Sequence, residues 1–292
     1  MIFLAVLLRI IVNPLSYVFQ KQICFNGQSP LFANFLTYLA LSCAVVPFVW
    51  NITWTAFPPA FWGYCVLVGV FGAVGNGFLV KAVRSGELSV LGPINAYKSV
   101  VGMIFAIVLL REIPSLSGVC GIGLIVAGSY FVLDSGTHSE RLSWKVLTRP
   151  DLRYRFAAMV IAAAEAVFTK KVILYSDPQI ATIIWCWGGA IFSFLFLPIQ
   201  GYRENSVWSS EWKKAGSNVL RYIGLVCSVG LMQLTTNYVF AKIPVGYAFA
   251  LFQLSVVFSV FYGWFFFNES QIFRKLSASA VMVLGSILII FG

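Results

Sequence analysis

The sequence predicts an all-α integral membrane protein, with ten transmembrane helices in two inverted five-helix repeats. Three observations carry this expectation. Sixty per cent (60%) of the 292 residues are hydrophobic and 10% charged, with a mean hydropathy of +0.87, far from the roughly 45–50% apolar and 25% charged of a soluble domain. The apolar residues gather into ten runs, each close to the about 20 residues that cross a hydrocarbon core of about 30 Å. Landmarks in the first five runs return in the same order in the last five, as an internal repeat requires.

The runs lie at 2–22, 31–50, 60–81, 88–110, 116–133, 154–174, 179–198, 220–241, 244–267 and 273–291. Only "KAVRSGE" separates the third from the fourth and only "KIPV" the eighth from the ninth, which forces antiparallel hairpins. Trp50, Trp54 and Trp62 cluster around one connection, and Trp208 and Trp212 in another, as an interfacial aromatic belt would. Arg9 interrupts the first run and no A-x-A-like cleavage site follows, so the run reads as a mature helix rather than a secretory signal. The boundaries expected are 1–135 for the first repeat, 136–153 for a polar connection and 154–292 for the second repeat.

Two landmark pairs share one offset. Glu112 ends the fourth run and Gly128-Ser129 follows; Glu269 ends the ninth and Gly285-Ser286 follows, each displaced by 157 residues. Asn76 precedes Lys81 as Asn237 precedes Lys242, and "VFQK" (Val18 to Lys21) answers "VFTK" (Val167 to Lys170). An odd number of helices per half inverts one half relative to the other, the plan of many secondary transporters.

The net charge of +10 does not point to nucleic acid, because the basic residues sit in short connections and helix ends where orientation signals and lipid headgroups account for them. The connections after odd-numbered runs carry 14 Lys and Arg and those after even-numbered runs 4, which places both termini outside by the positive-inside rule. The six cysteines, Cys24, Cys43, Cys65, Cys120, Cys186 and Cys227, form no CxxC pair and read as small buried hydrophobes. His138, the one histidine, lies in the polar middle stretch and reads as solvated. No cofactor and no metal is expected. An intramembrane enzyme would need His, Asp or Cys clustered within the spans, and the sequence has one acid there.

The stretch Lys81 to Phe131, with its small-residue turn, Pro93, Glu112 and a Gly-rich fifth run, resembles the drug/metabolite transporter superfamily, specifically proteins with two tandem EamA-like domains. The second copy, Tyr247 to Ile290, keeps Glu269 and Gly285 and lacks the proline. The resemblance spans essentially the whole chain. It implies a ten-helix carrier in the cell (inner) membrane, working by alternating access around a central cavity, with both termini cytoplasmic, the reverse of the charge count. "AAAEAVFTKK", Ala162 to Lys171, is also similar to the first helix of the small multidrug resistance proteins, whose glutamate exchanges protons for cationic drugs; Ala164-Glu165 match that position.

Within the runs, the charges are Arg9, Lys98 and Glu165, the last two near mid-depth. A charge there costs at least about 2.5–3.5 kcal/mol on insertion scales, so it faces a cavity or a partner. Two readings stand for Lys98 and Glu165: an ion pair locking two helices, or contacts to a substrate or proton. Asn95, Lys98, Ser99, Gly102 and Ala106 share one face of the fourth run; Gly69, Gly72, Ala73 and Asn76 one face of the third; Gly230, Gln233, Thr236 and Asn237 one face of the eighth. Such stripes serve close helix packing or a polar cavity, and the amides favour the cavity. Asn13 and Tyr17 of the first run, Trp185 and Trp187 of the seventh, and Tyr247 and Gln253 of the ninth are further lining candidates. The expected substrate-binding set is therefore Asn13, Tyr17, Asn76, Asn95, Lys98, Ser99, Trp185, Gln233, Asn237 and Gln253, with Glu165 as the proton or cation site. Lys98 and Arg9 favour a small metabolite bearing a carboxylate or phosphate; a lipid-linked headgroup is the alternative cargo.

Overall fold

A computed structural model describes residues 1–50, 52–94, 97–98, 101, 116–134, 149–197, 205–243 and 245–291. Asn95, Ser99, Gly102, Ala106, Glu112 and His138 lie outside the described residues. The described chain is helical with no strand: α1 (Ile2–Phe25), α2 (Pro30–Val45), α3 (Pro59–Ser85), α4 (Leu88–Ile94), α5 (Leu116–Asp134), α6 (Pro150–Tyr175), α7 (Pro178–Phe196), α8 (Asn205–Ser217), α9 (Val219–Lys242), α10 (Val245–Gln253), α11 (Ser255–Phe267) and α12 (Ile272–Phe291). α1, α3, α7, α9 and the segment Pro30–Phe48 that contains α2 are each long and apolar enough to cross a membrane. Pro30, Pro59, Pro150 and Pro178 open their helices at a position where a missing N–H costs nothing, and Asp177 caps α7 through the amides of Gln179 and Ile180.

The inverted repeat is visible at one crossing. A Cβ on Gly128 of α5 would meet Ala278 and Met282 of α12; a Cβ on Gly285 of α12 would meet Gly121 and Ile125 of α5. The offset of 157 maps Gly128 onto Gly285, Gly121 onto Ala278 and Ile125 onto Met282. Each helix thus presents to the other the same surface it receives, the signature of an axis relating the two halves. The long pairs obey the same exchange: α3 lies along α6, and α9, the counterpart of α3, lies along α1, the counterpart of α6.

Two departures from the sequence expectation have local causes. The stretch 205–217, expected as a polar connection, forms α8. Its 13 residues are too short to span, and it is held by Trp208 and Trp212, whose rings stand edge-on to Phe32 at 5.7 and 5.4 Å. The ninth run, expected as one helix, breaks at Leu254 into α10 and α11 without a proline. There the bonds Leu254 N–H to Leu251 O and Val257 N–H to Leu254 O close tight three-residue turns instead of α turns.

Acids from the second half hold helix starts of the first. The Glu269 carboxylate, just past the left-handed Asn268 that ends α11, accepts from the amides of Leu88 and Ser89 at 2.8 Å, from the Ser89 hydroxyl and from Lys21 Nζ at 3.1 Å. It caps α4, where free amides and the helix dipole favour a negative charge. Lys275 Nζ completes the knot, donating to Glu87 at 2.6 Å and Ser89 at 2.7 Å. Glu211 of α8 does the same for α2, accepting from Ser29 N–H at 3.0 Å and Gln28 Nε2 at 2.7 Å. Lys21 and Lys275, taken from sequence as helix-end charges, are buried in consequence. Of the cysteines, Cys24, Cys65 and Cys186 are buried as expected, while Cys43, Cys120 and Cys227 lie on the outside of the bundle, where hydrocarbon serves a thiol as well as a core does.

The α5–α12 crossing gives a stability prediction. Gly285→Val places a branched side chain where a Cβ alone comes within 2.6 Å of the Gly121 carbonyl. Overpacking of this kind costs about 1–3 kcal/mol. Its unfolding temperature in detergent should fall, while Gly123→Ala, whose Cβ would meet nothing within 4 Å, should leave it unchanged.

Candidate functional site

Close approaches between helices build the site. A Cβ on Gly69 of α3 would come within 2.8 Å of the Gly188 Cα of α7, so the two backbones touch. At the next residue, a Cβ on Gly189 would overlap the Tyr38 ring at 2.1 Å; the glycine is what lets α2 deliver this tyrosine beside Trp185, ring centroids 4.6 Å apart. The glycine stripe of α3 therefore serves packing on one turn and the cavity on the next. At Gly72 a Cβ would lie 3.2 Å from Tyr38 Oη, 3.4 Å from Trp185 Nε1 and 3.5 Å from Glu165 Oε1. Four helices, α2, α3, α6 and α7, converge there on one carboxylate.

Glu165 sits near the middle of α6, and its Oε1 accepts from Trp185 Nε1 at 2.5 Å. The Asn76 amide donates to the Tyr38 hydroxyl beside it. Among the described residues Glu165 has no ion pair: Lys98 faces the same cavity, but its ammonium rests over the Phe249 ring, 5.6 Å from the centroid. The reading of Lys98 and Glu165 as a helix-locking pair is not what the geometry shows. An indole N–H is a donor only, so it suits an acceptor carboxylate and leaves the second oxygen free to face the cavity.

This cavity, about 110 Å³, runs through the centre of the bundle between α1, α2, α3, α6, α7, α9 and α10, with Lys98 reaching it from beyond α4. That is well above the roughly 10–15 Å³ a single water needs, so the cavity holds several waters or a small solute. Of the expected residues, Asn13, Tyr17, Asn76, Lys98, Glu165, Trp185 and Gln233 line it. Asn237 and Gln253 do not. Asn237 is fully buried and donates to Thr182 Oγ1 at 2.9 Å while accepting from Gln233, a tie between α9 and α7. Gln253 is buried at the end of α10.

Several lining residues were not on the expected list. Ser16 and Gln20 continue the α1 face of Arg9, Asn13 and Tyr17, and Asn34, Thr37 and Tyr38 come from α2, a run without a scored polar stripe. Arg155 is the largest omission. Hydropathy starts the sixth run at 154 and so leaves Arg155 at a helix end, but α6 begins at Pro150 and carries Arg155 more than a turn inside, 3% exposed, with Nε donating to the Leu91 carbonyl at 2.8 Å. The signal was present: Arg149-Pro150-Asp151 places proline at the first helical position and an acid in the first turn.

The Glu165–Trp185 bond should be measurable as a coupling. Trp185→Phe leaves the carboxylate without its donor, at a cost of about 1–3 kcal/mol. The double change with Glu165→Leu should lose less than the sum of the two single changes in thermal unfolding; strict additivity would mean no bond.

Comparison with known proteins comes to the same architecture. The sequence profile of the EamA-like transporter family matches residues 1–134 and again 154–291. Eighteen solved chains match the fold. One of them, a crystal structure of a protein, superposes with a TM-score of 0.66 at 18% identity, covering 97% of this chain and 95% of its own. No curated protein matches the sequence.

Proposed function

Because the chain belongs to the EamA-like transporter family, a family of multi-pass membrane transporters, we propose that it is a secondary carrier, not an enzyme, for a small polar or amphipathic metabolite such as an amino acid. It works in the cell (inner) membrane by alternating access through the central cavity, with Glu165 as the proton or cation site. One observation carries the reading: a carboxylate near the middle of α6 lines the central cavity and is met by a neutral donor, Trp185, rather than by a cation. An acid held only to lock helices would be neutralised by a partner; one that takes up and releases a proton needs a partner that tolerates both states. The protonated acid can keep its carbonyl oxygen on the indole and turn its hydroxyl to the cavity. Protonation then removes a charge whose burial is expensive, and a cavity emptied of that charge can change the side it faces.

A lipid-linked headgroup remains the second reading, on one specific observation. A separate cavity of about 170 Å³, lined by Leu31, Phe78, Lys81 and Phe196 among others, lies beside the central one, and Asn34 lines both. Cargo that keeps its tail in the bilayer needs such a side space.

Reconstitution decides between them. Glu165→Gln keeps an oxygen that accepts from Trp185 and cannot bind a proton, so the variant should fold with near wild-type stability and lose pH-gradient-driven uptake in proteoliposomes. Uptake by the variant at the wild-type rate would remove Glu165 from coupling. Movement of a labelled lipid with no uptake of any soluble solute would replace the carrier reading by the flippase.

A further inference from the structure

The cavity has a second charged feature that the coupling acid does not explain. Arg9 and Arg155 reach it from α1 and α6, Lys98 reaches it from beyond the end of α4, and among the described residues none of them is within ion-pair distance of a carboxylate. Each rests instead on a ring: Arg9 Cζ lies 4.1 Å from the Phe252 centroid, Arg155 Cζ 5.4 Å from that of Tyr17, and Lys98 Nζ 5.6 Å from that of Phe249. Arg9 and Arg155 are 6% and 3% exposed, yet Arg9 Nε and Nη1 and Arg155 Nη2 meet no acceptor in the protein. Asn13 Nδ2, one turn along α1 from Arg9, is likewise unmet.

Elsewhere the chain answers its buried cations: Lys21 has Glu269, and Lys275 has Glu87. Cations left with free N–H groups in a cavity are therefore a choice of place rather than a shortage of acids. Gln20 Oε1 is an unmet acceptor on the same lining, and the unmet Arg9, Asn13 and Arg155 atoms are all donors. They form a column, because Arg9 and the Tyr17 ring on which Arg155 rests are eight residues, or about 12 Å, apart along α1. A ring face holds a guanidinium in position without satisfying its N–H groups, which stay available to planar or tetrahedral oxyanions.

We propose that this cationic column docks the anionic group of the transported solute, a carboxylate or a phosphate, so that cargo lacking such a group is not recognised. The inference rests on the carrier reading of the central cavity. Arg9 or Arg155 binds the oxyanion directly with Lys98 adding positive charge to the same cavity, and Glu165 with Trp185 supplies the acceptor that meets the remainder of the solute.

The test uses the full chain in detergent and in proteoliposomes, with succinate and inorganic phosphate as anionic probes and alaninamide and glycerol as probes without an anionic group. Succinate or phosphate should raise the unfolding temperature and the other two should not, and the stronger of the two anions names the group. Arg9→Gln and Arg155→Gln should each weaken that protection about tenfold or more, as expected for losing a charge-assisted hydrogen bond. Arg155→Lys, which keeps the charge, should retain part of it, and Arg9→Gln keeps the test available if Arg155→Gln fails to fold for want of its bond to Leu91. Equal protection by alaninamide or glycerol, or protection by anions that is indifferent to both arginine changes, overturns the proposal. Uptake of a neutral solute without anion protection would overturn it and leave the carrier intact; anion protection with no uptake of any solute would do the reverse.

Discussion

Hydrocarbon offers a charge neither water nor a hydrogen bond, so each ionised side chain inside this bundle has to be answered by the protein or kept for something the protein receives. The most consequential answers are given by two carboxylates of the second half, Glu269 and Glu211, at the starts of α4 and α2. Each satisfies amides that the helix itself cannot, and Glu269 also neutralises Lys21 at the end of α1. With these contacts one end of α1, α2 and α4 is fixed to α8, α11 and α12, and the wall of the central cavity is fixed with it. Removing one partner of such a buried pair leaves the other uncompensated, at a cost of about 3–5 kcal/mol, so the knot is a constraint on architecture as much as a source of stability.

Against that background the central cavity is distinctive for what is left unanswered. Among the described residues its acid, Glu165, is met by an indole, and its cations by ring faces and, for Arg155, a backbone carbonyl. Helix backbones that touch at Gly69 and Gly188 bring these side chains together, and the space that Gly189 leaves admits Tyr38. Small residues and polar residues on one helix face are thus two parts of one device: the glycines set the distance at which the polar groups meet.

Much of this was legible in the sequence. Ten apolar runs and an offset of 157 between matching landmarks gave the helices and their inversion, and the crossing of Gly128 with Gly285 shows why those landmarks repeat: both sit where the halves meet. The repeated glutamate has a reason too, since Glu269 is a cap rather than a lining residue. Hydropathy, however, averages over a window and so places helix ends poorly, which hid Arg155 inside α6 and left Lys21 and Lys275 as helix-end charges with no partner assigned. It also has no view of a helix that lies on the bundle, which hid α8. Periodicity could say that Asn237 and Gln233 share a face, but not that Asn237 turns to Thr182 while Gln233 reaches the cavity. The break at Leu254 depends on tertiary packing and leaves no residue type behind to announce it.

The central claim is that one mid-membrane cavity serves both sides of the membrane in turn. A cysteine placed at Ala162, which lines that cavity, in a background with the six natural cysteines removed, tests it with a membrane-impermeant thiol reagent applied from either side. Labelling from each side, with the accessible side shifting when a transported solute is added to the other, is the predicted result. Labelling from one side alone under every condition would contradict it.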